Sequence, residues 1–147
     1  MGAPRGILND RPPLPGPVLP PGGQLRRLGL AEQRKPVSAA RRFTVAALED
    51  WAWPERDDVV LVVAELVANA VLHAGGAVHL TLDATPDRLR IEIADGSAVL
   101  PAPSRPHSPS LPGGHGLHVV DRTCDRWGGT RQPWGKTVWA EIDLHRS

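Results

Sequence analysis

In Glu65-Leu66-Val67-Ala68-Asn69-Ala70-Val71-Leu72-His73-Ala74, a carboxylate, a carboxamide and an imidazole recur every four residues along an otherwise apolar run. On a helix of about 3.6 residues per turn, positions four apart stack on one face. Glu65, Asn69 and His73 therefore form one polar seam. A carboxylate and an amide one turn apart can hold a divalent cation and orient a water or hydroxyl, which is the chemistry of nucleotide hydrolysis or phosphoryl transfer. The plainer explanation is the solvated edge of a core-facing helix, and the seam alone does not separate the two.

Three further signals follow in order. Asp95-Gly96 ends a run in which Leu89, Ile91 and Ile93 alternate with charged residues. Gly113-Gly114-His115-Gly116-Leu117 opens a helical pattern, and Gly135-Lys136-Thr137 enters a last alternating run. Each also has an ordinary explanation: a turn residue, a helix entry, a strand residue. His107, His115 and His118 lack neighbouring carboxylates or thiols that would complete a metal site. The tryptophans read as packing residues rather than stacking platforms.

The elements that must position these residues follow from periodicity. The first 23 residues hold seven prolines and five glycines. They carry too little apolar surface to offset their ordering entropy, so we expect a disordered tail over 1–23 and one domain over 24–147. A short edge strand is expected over 24–31. Val37, Ala40, Phe43, Ala47 and Trp51 keep helical spacing. A second helix begins near Pro54, with Glu55, Asp57 and Asp58 at its positive end, and Gly75-Gly76 stops it. The period then becomes two: residues 78–83 and 88–95 make a hairpin around Pro86-Asp87. Residues 98–112 carry five prolines and no periodicity, and a loop of that length is functional or disordered. A helix through Leu117 and Val120, a strand near 126–130 and a final strand over 137–144 complete the chain. Strands cluster rather than alternate with helices. The expected fold is an α+β two-layer sandwich, its sheet mixed but mostly antiparallel and covered by helices on one face.

Composition bounds the function. Residues 1–35 carry six Arg/Lys against Asp10 and Glu32, so the net +1 hides an acidic body. An acidic body is a poor nucleic-acid binder. The single cysteine, Cys124, excludes an internal disulfide and fits a reducing compartment. No signal peptide is recognisable and no run approaches the ~18 apolar residues of a membrane span. The expectation is a cytoplasmic protein.

Together, Glu65–Ala74, Ile93-Ala94-Asp95-Gly96-Ser97, Gly113–Asp121, Asp125-Arg126-Trp127-Gly128 and Gly135–Trp139 resemble the GHKL (Bergerat-fold) ATPases, the superfamily of gyrase, Hsp90, histidine-kinase catalytic domains and MutL. Within it the chain is most similar to the small anti-sigma factor serine/threonine kinases and their actinobacterial relatives, over roughly residues 24–145. The resemblance implies an ATP site. Asn69 would ligate Mg²⁺ and Glu65 would orient or deprotonate the attacking hydroxyl. Asp95 would accept a hydrogen bond from the adenine amino group, and Gly96 would let the backbone pass close to the base. The proline-rich stretch would be the ATP lid. Gly114, Gly116 and the turn through Leu117 would bring backbone N–H groups to the phosphates, with His115 approaching the nucleotide. Thr137 would support the adenine-side network, often through water. His73 matches a common residue of the subfamily, without a catalytic role. The chain departs in lacking a second glycine after Asp95-Gly96-Ser97, which bears on lid geometry. It also lacks a dimerisation helix with a phosphorylatable histidine, so a free-standing histidine kinase is not expected.

The implied activity is phosphorylation of an anti-anti-sigma (STAS) partner, with a sigma factor as a further partner and a homodimer as a common arrangement. The rival expectation is a nucleotide-dependent protein-binding module without significant transfer. A nucleotide-free scaffold is a third.

Overall fold

The change from helical period to period two is realised element by element. The computed structural model describes residues 17–73, 76–97 and 114–144. They form β1 (Gln24–Gly29), α1 (Pro36–Asp50), α2 (Arg56–His73), β2 (Ala77–Ala84), β3 (Arg88–Asp95), α3 (Gly114–Thr123), β4 (Arg126–Gln132) and β5 (Gly135–Asp143). The strands make one sheet in the order β1-β2-β3-β5-β4. Every pairing in it is antiparallel. The sheet is thus not mixed among the described residues. The connection from β3 through α3 enters edge strand β4, and the turn at 133–134 folds β5 back between β4 and β3.

Strand alternation assigns the two faces. Leu89, Ile91 and Ile93 stand opposite Ala84, Leu82 and Leu80 on one side and Ile142, Ala140 and Val138 on the other. All nine are buried, and the helices cover this face. α2 lies between α1 and α3 and contacts both. It buries Val59, Val62, Val63, Leu66, Val67 and Ala70, the apolar stripe expected of a core-facing helix. The opposite sheet face is charged. Arg90 donates to Glu92 at 2.7 Å and to Glu141 at 2.9 Å, and its guanidinium lies 4.4 Å from the centre of the Trp139 ring. Arg126 pairs with both Glu141 and Asp143.

α1 starts with Pro36, whose fixed φ suits a first helical turn. The link to α2 is tighter than the sequence suggests. Trp51 and Trp53 both turn into the core, at 1% and 3% exposure, and the Trp53 N–H donates to the Leu48 carbonyl at 2.9 Å. In the same link Ala52 and Glu55 take positive φ, 51° and 56°. α2 therefore begins at Arg56, beyond Pro54.

Of the tail, residues 1–16 lie outside the described residues. Residues 17–23 are placed: the Val18 N–H donates to the Trp51 carbonyl at 2.7 Å and Leu19 packs on the core. The expected lid, 98–112, also lies outside the described residues. No helix among the described residues is long and apolar enough to cross a membrane.

Candidate functional site

Asp95 closes β3 in phase with Leu89, Ile91 and Ile93, so its carboxylate enters the helix-covered side, 1% exposed. A buried carboxylate needs partners. Its Oδ1 accepts from the Ser97 N–H at 2.8 Å and from the Lys136 ammonium at 2.9 Å. Its Oδ2 is enclosed and accepts from nothing among the described residues. An orphaned acceptor of this kind costs about 1–3 kcal/mol, more when charged. It is explained when a ligand brings the missing donor. The amino group of adenine is such a donor, so the residues present fit the base that the family resemblance implies for Asp95.

Lys136 stands directly across from Asp95 in the β3–β5 register, its side chain 6% exposed. Gly135 permits the approach. A Cβ there would lie 2.2 Å from the Asp95 carbonyl oxygen and 2.7 Å from the Gly96 Cα, at a φ of +154°. Gly96 is the reverse: it is exposed, and a Cβ on it meets nothing within 4 Å.

Thr137 is placed differently from its expected role. It pairs with Ala94 and shares phase with Trp139 and Glu141, on the charged face away from the helices. Lys136, not Thr137, is brought to Asp95. Sequence reasoning passed over Lys136 although the signal was present: Lys136 continues the buried phase of Val138, Ala140 and Ile142 one step back.

Asn69 and Glu65 are half-buried on α2. The helix ends where β2 begins: the Gly76 N–H donates to the Ala70 carbonyl at 3.2 Å, and Ala77 then pairs with Asp95. The end of α2 that carries Asn69 and the end of β3 that carries Asp95 therefore lie at one end of the sandwich. Glu65, one turn earlier, lines a solvent-open groove of about 770 Å³ shared with Arg41 and Val45 of α1. α3 flanks α2 on its other side. Its last turn leads to Asp125, whose N–H donates to the Glu141 carbonyl at the far end of the sheet. Its first turn carries Gly114 and Gly116. Leu117 is 5% exposed and packs inward. The side chains of His73 and His115 lie outside the described residues. No group of three His, Cys, Asp or Glu among the described residues stands close enough to hold a metal.

No curated protein matches the chain. A family model described as the histidine kinase-like ATPase domain matches residues 30–142, a span that contains Glu65, Asn69, Asp95 and Lys136. A family model covering that much of the sequence, on a five-stranded antiparallel sheet covered by three helices, settles the relationship: the chain belongs to the histidine kinase-like ATPase domain family.

Proposed function

We propose that the chain is an ATP- and Mg²⁺-dependent protein serine/threonine kinase of the anti-sigma regulatory type. Its substrate is a serine or threonine hydroxyl on a STAS-domain partner, and a sigma factor is a second protein it binds. The observation that carries the nucleotide part is the enclosed, unpartnered Oδ2 of Asp95, at the end of the sandwich where α2 brings Asn69. In this reading Oδ2 accepts a hydrogen bond from the adenine amino group. The Asn69 amide, with the triphosphate, would hold Mg²⁺, which would neutralise phosphate charge. Magnesium is commonly held by one or two protein groups plus phosphates and waters. Glu65 aligns the partner's hydroxyl and takes its proton as the oxygen bonds the γ-phosphorus and the bond to the β,γ-bridging oxygen breaks. Its place on a solvent-open groove supports this role, because a macromolecular hydroxyl must arrive from outside.

The test is incubation of the chain with radiolabelled ATP and a STAS protein, beside the Glu65→Ala variant. The expected result is labelled partner with the wild type and transfer reduced about 10²-fold or more with the variant, ATP affinity being kept. Tight ATP binding with no labelled partner would instead establish a nucleotide-dependent binding module. Normal transfer by Glu65→Ala would remove Glu65 from the mechanism.

A further inference from the structure

Lys136 is an unusual occupant of a buried strand position. An ammonium carries three N–H donors and no acceptor. Nζ is 2.9 Å from Asp95 Oδ1, a good charge-assisted bond, and 3.5 Å from the Ser97 carbonyl, at the limit of one. No third acceptor faces it among the described residues, and its side chain is only 6% exposed. The ion pair is therefore incomplete on both sides. The lysine has donor capacity left, and the aspartate has a whole oxygen left. A pair serving only to hold β3 to β5 would gain nothing by this, since each unmet group adds to the desolvation cost of burying the charges. The two incomplete groups are neighbours, side by side at the end of the sheet, one residue from the exposed Gly96.

We infer that Lys136 is a base-reading residue, acting with Asp95 as an adjacent donor and acceptor. The adenine edge carries the complement: a ring nitrogen, N1, that accepts, beside a 6-amino group that donates. Asp95 Oδ2 accepts a hydrogen bond from the amino group and Lys136 Nζ donates one to N1. The threonine that the sequence suggested for this network lies on the other face of the sheet, so the contact falls to the residue that strand phase turns inward. The inference rests on the nucleotide reading of the site and adds a specificity contact to it.

Calorimetric titration of the full chain with ADP and with 1-deaza-ADP, in which a C–H replaces N1, separates the two. The expected result is ADP binding, with the 1-deaza compound about tenfold weaker, as for loss of one hydrogen bond to a charged donor. 7-Deaza-ADP, altered on the other ring, should bind like ADP. In Lys136→Met, which keeps length and loses the donor, the gap between ADP and 1-deaza-ADP should close even if both bind less well. A merely structural lysine would weaken both ligands equally and leave the gap open. The wild-type comparison stands even if Lys136→Met does not fold. Equal binding of ADP and 1-deaza-ADP by the wild type, or a gap that persists in folded Lys136→Met, would overturn the base-reading role while leaving the nucleotide site intact. No binding of ADP at all would overturn both.

Discussion

Gly96 and Gly135 flank one carboxylate, and the structure requires glycine at only one of them. At Gly135 a methyl would strike the Asp95 carbonyl, and the backbone sits at a φ that disfavours any side chain. At Gly96 a methyl meets no atom of the described residues within 4 Å, so lost ADP affinity on adding one would report contact with the ligand. Gly135→Ala should lose at least about 2 kcal/mol of stability, seen as a lowered denaturation midpoint. Gly96→Ala should keep the wild-type midpoint but bind ADP several-fold more weakly by calorimetry. Equal ADP affinity in Gly96→Ala would place the base elsewhere. The sequence marked both residues as motif glycines, but glycine spacing does not say whether protein or ligand fills the missing side chain's place.

Among the elements, the β3–β5 pairing does most to organise the molecule. On its helix-covered face it carries the Asp95–Lys136 pair; on its charged face it carries Glu141, surrounded by Arg88, Arg90 and Arg126. Burial works against ionisation of Glu141, yet the bonds from Arg126 and Arg90 and the charge of Arg88 hold its carboxyl below the ordinary 4.5. The folded chain thus releases this proton more readily than the unfolded chain. The stability gained is present above about pH 4.5 and is lost as pH falls through the lower folded value. Between pH 7 and pH 3 the melting temperature of the wild type should fall more steeply than that of Glu141→Gln. Parallel curves would mean the arginines contribute no net linkage. Both strands were legible as alternating runs. Their adjacency was not, because β4 intervenes in sequence but takes the sheet edge in space. The left-handed turns at Ala52 and Glu55 were equally hidden, since neither residue type favours positive φ; they accompany the burial of both Trp51 and Trp53.

For the molecule as a whole, the boundary of the folded unit is open to direct test. The sequence put it at residue 24, since proline and glycine dominate what precedes. The structure ties residues 18 and 19 to the end of α1 and to the core. Deleting residues 1–16 should leave the melting temperature unchanged. Deleting 1–23 should lower it by about 3–8 °C, for the loss of about 1–2 kcal/mol of half-buried leucine and one backbone bond. An equal effect of both deletions would restore the boundary at 24. The division between what is local and what is not runs through every scale. Periodicity, caps and turn residues are local, so the sequence by itself determined the eight elements, their order and the Glu65–Asn69 seam. Which residues share a face across a sheet depends on partner and register, and side chains alternate every residue, so a shift of one position exchanges buried for exposed. Tertiary structure alone decided that β3 lies against β5, that Asp95 meets Lys136 while Thr137 looks the other way, and that the ends of α2 and β3 lie at one end of the sandwich.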